Sequence, residues 1–312
     1  MKKTLLKLIC LLLCTLFLAC LLPTAVYADT GPKPSVKITF ENMGDALCYG
    51  TLLSEKPSTG PSSVWDGNEE TAYHNGNEHF PHALLDYETW KKFVEYEDSD
   101  GYYFLQHSVW EVSESGQLHW NYYPPQRFKI LLYYPETGKF VASGIYERYA
   151  FDSYFTVDMA GVDIGTVIGD GETSGGDDFT ADRSYEWGRE AVSLVIRILI
   201  TLAIEMGVAL LFGFRKKRAL LLLVTVNAVT QILLNVALNV IRFHSGEAAF
   251  VLGYVLLELV VFAIEAVFCS VLRRKLADTE KPVWFFVLYA LTANAVSFGA
   301  GLAIANILPG IF

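Results

Sequence analysis

An exported, mainly-β domain joined to an all-α bundle of four transmembrane helices, behind a signal peptide, is the architecture that the sequence predicts. Three observations predict it. The first 28 residues have the basic start, apolar stretch and small-residue end of a signal peptide. Residues 29 to 168 alternate short β-branched and aromatic runs with turn residues. Residues 190 to 312 hold four apolar runs, each near or above the ~20 residues that cross a ~30 Å hydrocarbon core.

The N-terminal segment reads MKKTLLKLICLLLCTLFLACLLPTAVYA. Lys2, Lys3 and Lys7 precede a Leu/Cys-rich stretch, Pro23 breaks it, and Val26 and Ala28 suit a cut after Ala28. Reading Cys20 as a lipidated residue, or the whole segment as an uncleaved anchor, changes the attachment. Every one of these readings leaves residue 29 onward outside the cytoplasm. Of the five cysteines, Cys10, Cys14 and Cys20 leave with the signal peptide and Cys269 falls in an apolar run. Only Cys48 remains outside, so the exported domain has no internal disulfide framework and no cysteine metal cluster; Cys48 reads as a small buried apolar residue.

The net charge of −10 conceals an asymmetry: residues 29 to 189 carry 27 acidic and 11 basic side chains, a net of −16. Such an exported domain argues against nucleic acid or anionic lipid as its partner. VKITFEN alternates as a strand, KPSTGPSS (56 to 63) and DGNEE (66 to 70) read as turns, and YETWKKFVEYED (87 to 98) spaces Trp90, Phe93 and Val94 as a short helix. Beyond SDG (99 to 101), YYFLQHSVWEVSE, QLHWNYY, RFKILLYYP, KFVASGIYERYAF and SYFTVDM read as strands with turns every eight to twelve residues. This spacing suits a β-sandwich or barrel. Trp65, Trp90, Trp110 and Trp120 read as core and cross-strand partners, with a ligand groove as the alternative. The segment PPQRFKILLYYPETGKFVASGIYERYAFDSYF resembles the small Ig-like or prealbumin-like modules of bacterial surface proteins.

No enzyme is expected. His74, Glu78, His79 and His82 crowd into HNGNEHFPH, but their spacing matches no zinc signature and the segment reads as a polar loop. No G-x-S-x-G elbow occurs. GDGETSGGDDFTADRS lacks the ligand spacing of an EF-hand. It reads as part of an acidic, Gly-rich linker over 169 to 189. No metal and no cofactor is expected.

The four apolar runs cover about 190 to 213, 219 to 241, 249 to 271 and 282 to 308. The loops at 214 to 218 (with RKKR) and 272 to 281 (RRKLADTEK) are basic, whereas RFHSGEA between runs two and three holds one Arg. The positive-inside rule puts the two basic loops in the cytoplasm and the C-terminus outside, which agrees with export of the preceding domain. Each run also carries a polar stripe. The residues singled out are Arg197 and Glu205 on the first, Asn227, Gln231 and Asn235 on the second, Glu258 and Glu265 on the third, and Asn294 on the fourth. At 100° per residue Glu258 and Glu265 lie only ~20° apart around their helix.

A single ionised side chain in hydrocarbon costs at least ~2.5–3.5 kcal/mol, so the stripes should converge on a shared interior. Measured from each run's midpoint, Arg197, Asn235 and Glu258 fall in an outer layer and Glu205, Asn227 and Glu265 in an inner one, with Gln231 and Asn294 between. The expected pairings are Arg197 with Glu258, and Glu205 facing Glu265. One positive against three negative side chains requires a proton, a cation or a partner.

The order R-x₃-T-x₃-E, N-x₂-T-Q-x₃-N, E-x₆-E, N-x₂-S resembles a pattern in uncharacterised bacterial multi-pass membrane proteins with an exported N-terminal domain, which implies the bacterial cytoplasmic membrane. The expected function is ligand or partner binding outside the cell, as a sensor or accessory subunit, with the lipid bilayer and a protein as partners and no nucleic acid. The alternative is a proton- or cation-coupled transporter or channel component that uses the intramembrane Glu/Arg network.

Overall fold

The computed structural model describes residues 32–68, 72, 86–106, 108–165, 178–277 and 280–307. The signal-peptide segment, the histidine-rich loop with His74, Glu78, His79 and His82, and residues 169–177 of the predicted linker lie outside the described residues. The chain divides into two compact units, Pro32–Tyr185 and the segment from Glu186 to Phe312.

The first unit is β-rich. One sheet runs β11-β10-β1-β6, with β1 (Ser35–Glu41), β6 (Gln117–Trp120), β10 (Asp152–Asp158) and β11 (Ala181–Arg183). The pair β1–β10 is parallel, from Ser35 opposite Asp152 to Glu41 opposite Asp158, and the other two pairs are antiparallel. A second, antiparallel sheet runs β5-β2-β7-β8, from β2 (Tyr49–Ser54), β5 (Trp110–Glu111), β7 (Arg127–Tyr134) and β8 (Lys139–Ala142); β9 (Tyr146–Glu147) also pairs with β7. Two short strands, β3 (Ser58–Thr59) and β4 (Ser62–Ser63), pair within the predicted turn at 56 to 63.

Val36, Ile38, Leu118 and Phe155 of the first sheet share one apolar core with Leu52, Phe128, Ile130 and Leu132 of the second. The second sheet is covered on its other face as well. There Leu53, Leu131 and Tyr133 meet Trp90 and Phe93 of helix α1 (Tyr87–Glu95). Asp86 caps α1 by accepting the Thr89 N–H at 2.8 Å, and Trp90 donates its indole N–H to the Gln106 carbonyl at 2.9 Å.

This double coverage explains where pattern reading falls short. All six residues of β2 are buried, so the strand shows no alternation and the sequence does not announce it. Two other expectations change. YYFLQHSVWEVSE (102 to 114), read as one strand, contributes only β5 and an isolated bridge from Tyr103 to Ser54; its first residues, Tyr102 and Phe104, instead fill the core beside α1. Ala181–Arg183, read as linker, pairs with Phe155–Val157 as β11, and Phe179 and Ala181 enter the core. Apolar burial and ladder bonds outweigh the local Gly/Asp composition there.

The second unit is helical, with α2 (Trp187–Leu211), α3 (Lys217–Val271), α4 (Arg273–Leu276) and α5 (Val283–Ile307). Three of these helices, α2, α3 and α5, are long and apolar enough to cross a membrane. Helix α3 is not one rod. Gly246, at φ 80° and ψ −175°, interrupts it. In a straight helix Thr230 and Glu265 would lie about 52 Å apart at 1.5 Å per residue. Instead their side chains bond at 2.8 Å, so α3 folds back on itself at Gly246 into two arms. Leu234 and Leu238 of the first arm pack on Phe250, Leu257 and Val261 of the second.

The conformation of Gly246 is essentially closed to residues with a Cβ. Gly246→Ala therefore lowers the stability of the helical unit by about 1–3 kcal/mol. Titration of the purified chain with SDS, followed by helical circular dichroism, measures this. An unchanged midpoint would show that the turn does not depend on the glycine.

Candidate functional site

The polar residues of the helical unit stack in tiers. Ascending α2, Val208 and Ala209 pack in an apolar cluster, Glu205 follows, and Thr201 and Arg197 line a cavity. The other helices repeat this order. The first arm of α3 places Ala219 and Leu223 in the cluster, then Asn227 and Thr230, then Gln231, Asn235 and Leu238 at the cavity. The second arm runs Cys269, Glu265, Glu258 and Tyr254, and α5 runs Phe286, Tyr289, Asn294, Ser297 and Gly301. The eight residues singled out from the sequence are all buried, at 9% exposure or less.

The middle tier holds two carboxylates. Glu205 accepts hydrogen bonds from Asn227 Nδ2 at 2.5 Å and Ser297 Oγ at 3.3 Å. Glu265 accepts from Asn294 Nδ2 at 2.6 Å and Thr230 Oγ1 at 2.8 Å. Asn294 and Ser297 lie one turn apart on α5, so that helix donates to both acids and joins them in one network. Every donor is neutral, and among the described residues no basic side chain pairs with either acid. Below this tier Phe212, Phe214, Phe285 and Tyr289 form an aromatic layer, with Phe214 and Tyr289 rings 4.9 Å apart.

Above the carboxylates lies a cavity of about 130 Å³, lined by Arg197, Gln231, Asn235, Tyr254 and Glu258 among others. Arg197 Nε, Gln231 Nε2 and Glu258 Oε2 are buried there without a hydrogen-bond partner. Buried polar atoms are nearly always satisfied, so three orphans around one void leave hydrogen-bonding capacity there for water or another polar group. The cavity reaches Glu247, beside the turn at Gly246. At this end Arg242 bonds Glu190 at 3.3 Å and Glu247 at 3.1 Å. These part-exposed pairs add roughly 0–1 kcal/mol each.

The expected pairing of Arg197 with Glu258 is replaced by another. Arg197 Nη2 donates to Asn239 Oδ1 at 3.0 Å, and among the described residues Glu258 forms no ion pair with it. Arg197 is long enough to extend its charged head along the helix toward the wetter end, where Asn239 sits one turn beyond Asn235. Spacing along the runs does not single out Asn239 as the partner of Arg197, nor the Glu190–Arg242–Glu247 cluster. The lone Arg in RFHSGEA is the signal that marks this end. Asn235 spends its amide within its own arm, on the Gln231 carbonyl at 2.9 Å.

The β-rich unit has a second concentration of chemistry. Lys129 of β7 is fully buried and bonds Asp98 at 2.6 Å and Asp100 at 2.9 Å. Asp98 also accepts the backbone N–H groups of Asp100 and Tyr102, at 3.0 and 3.2 Å. Burial works against the charge on Lys129, but the bonds to Asp98 and Asp100 outweigh it and hold its pKa above the ordinary 10.5. This pair pins a turn whose residues, with Trp65 and Tyr96, line a surface groove of about 420 Å³. Trp90 is core, whereas Trp65 is part-buried and faces the groove. Cys48 is a free, buried thiol that burial pushes up to about 12, so it is chemically inert near neutral pH. No family model matches the chain, and neither a curated protein nor a solved structure matches it.

Proposed function

We propose that the protein binds a ligand or partner outside the cytoplasm and registers it in a polar, membrane-embedded helical interior, as a sensor or accessory subunit would, without passing the ligand through. One observation carries this reading. A cavity with three orphaned polar atoms reaches Glu247 beside Gly246, while a hydrogen-bonded carboxylate tier and an aromatic layer lie on its opposite side. In this reading α2, the two arms of α3 and α5 are four crossings forming one bundle. The basic segments at 214 to 218 and 272 to 281 face the cytoplasm, and the β-rich unit, a sandwich of two sheets, stands outside behind a removed signal peptide. The Trp65–Tyr96 groove, with Glu97 beside it, favours a cationic or aromatic binding partner for that unit.

Accessibility tests the closure. In a chain with Cys48 and Cys269 replaced by Ser, Thr201→Cys reacts with a membrane-impermeant maleimide from the side of the β-rich unit, and Leu223→Cys reacts from neither side. Labelling of Thr201→Cys from both sides would overturn the reading.

Glu258 Oε2 and Arg197 Nε, unpartnered in the cavity, favour a second reading as a proton- or cation-coupled transport component. Proteoliposomes separate the two. Under the first, proton and sodium flux stay at the level of protein-free vesicles. Flux that disappears in Glu258→Gln establishes the second.

A further inference from the structure

We propose that the polar cavity of the helical unit binds a small zwitterion, one that carries an ammonium and a carboxylate a few bonds apart, as a small free amino acid does. The inference deepens the proposed function and rests on its reading that a ligand reaches this interior. Its basis is the set of groups that the cavity holds unsatisfied.

Every long segment of the unit supplies part of the wall: Arg197 comes from α2, Gln231 from the first arm of α3, Glu258 from the second arm and Gly301 from α5. Arg197, Gln231 and Glu258 are deeply buried, with exposures of 4%, 2% and 9%. Their orphaned atoms are two donors, Arg197 Nε and Gln231 Nε2, and one acceptor, Glu258 Oε2. The Gln231 amide is oriented by its neighbour. Its Oε1 faces Asn235 Nδ2 at 3.5 Å, which leaves Nε2 as the unpartnered end. The complement of this set is a carboxylate, which accepts through both oxygens, joined to an ammonium, which donates.

Charge favours the same ligand. Among the described residues, the charged side chains lining the cavity are Arg197, Glu258 and Glu247, and Glu247 is already paired with Arg242 at 3.1 Å. No residue after Gly301 has an ionisable side chain. Arg197 and Glu258 are therefore formally balanced but held apart, for Arg197 bonds Asn239 and Glu258 Oε2 has no partner. A lone anion or a lone cation would leave net charge where an unbalanced charge is costly. A zwitterion brings one charge of each sign and completes both pairs. The rings of Phe250 and Tyr254, 6.4 Å apart, put aromatic surface beside the ammonium. Size sets the limit. The cavity of about 130 Å³ has the room of about four waters at ~30 Å³ each, which a small amino acid fills and one with a large side chain exceeds.

The test uses the purified full chain in micelles of a neutral detergent, where both ends of the helical unit meet solute. The probes are glycine, L-alanine, L-serine and L-tryptophan, with propionate and ethylamine as the relatives of alanine that lack one charge. Equilibrium dialysis with radiolabelled solute reads binding. Saturable binding of at least one of the three small amino acids is expected, with propionate, ethylamine and L-tryptophan at least about tenfold weaker. Glu258→Gln keeps the side-chain size and should weaken binding by about tenfold or more, while Glu280→Gln, the same change outside the cavity, leaves it unchanged. Melting curves without solute establish that both variants are folded; if Glu258→Gln is not, the comparison of the amino acids with propionate and ethylamine decides alone. Propionate or ethylamine binding as tightly as the amino acids, undiminished binding in folded Glu258→Gln, or saturable binding of none of the three overturns the proposal and leaves the cavity to water. The two readings fail separately. Labelling of Thr201→Cys from both sides overturns the proposed function while binding in micelles stands, and absent binding leaves the labelling pattern unchanged.

Discussion

Asp98→Ala lowers the stability of the β-rich unit by about 3–5 kcal/mol, the cost of leaving a buried charge without its partner. For a unit of this size that is a fall of roughly 6–20 °C in melting temperature. The substitution removes an acceptor shared by three donors: the Lys129 ammonium and the N–H groups of Asp100 and Tyr102. Asp100 compensates only in part, because its side chain is half exposed and the turn that carries it is organised by Asp98. Removing the lysine is milder. In Lys129→Met the Asp98 carboxylate keeps two backbone donors, and the methionine fills the space beside Leu131 and Tyr133. The double variant Lys129→Met/Asp98→Asn should therefore lose less than Asp98→Ala alone, since replacing both members of a buried pair is often near neutral. Thermal melts of the full chain in micelles, followed by β-sheet circular dichroism, measure all three.

The pH dependence has a definite sign. Lys129 has a folded pKa above 10.5, so its proton favours the folded state. Its stabilisation is complete below pH 10.5 and fades as the pH rises through the raised value. The gap between the parent and Lys129→Met should be constant from neutral pH to about 9.5 and narrow only above that. A gap that already narrows near pH 8 would mean that the buried ammonium is not what holds the turn.

Asn294→Leu lowers the stability of the helical unit by about 1–3 kcal/mol. Membrane hydrogen bonds average only ~0.6 kcal/mol, but here the abandoned acceptor is a carboxylate oxygen sealed from water. The decisive comparison is the double variant Asn294→Leu/Glu265→Leu. It removes both partners, and Thr230, which loses Glu265, has the Val226 and Asn227 carbonyls at 3.1 Å as alternative acceptors for its hydroxyl proton. The double variant should thus be more stable than Asn294→Leu alone. SDS titration midpoints give the ranking; a double variant weaker than either single change would show that Glu265 contributes through something other than this bond.

The helical interior was more legible in the sequence than the β-rich unit. A helix repeats every 3.6 residues, so the face shared by Glu258 and Glu265, and the rows through Arg197–Glu205 and Asn227–Asn235, follow from spacing alone. Cost in hydrocarbon then forces such rows inward. What spacing does not reveal is which atom meets which. The Arg197 head turns to Asn239, not Glu258, because a long flexible side chain selects its partner by depth and hydration rather than by register. In the β-rich unit the obstacle is different. Buried on both faces, β2 loses the period-two signal that identifies a strand. Lys129 gives no hint of its buried role within RFKILLYY, which reads only as a strand. Only the packing of α1 and the 98 to 104 turn over that face makes the position internal.

By itself, the sequence determined that this chain has an acidic, β-patterned part and a separate set of long apolar helices with polar rows, since composition and periodicity are local properties of the chain. The tertiary structure alone decided that the rows meet in tiers and that a polar cavity lies above the carboxylate layer. Those features depend on contacts between residues up to 92 positions apart, as between Glu205 and Ser297, and no local pattern encodes them.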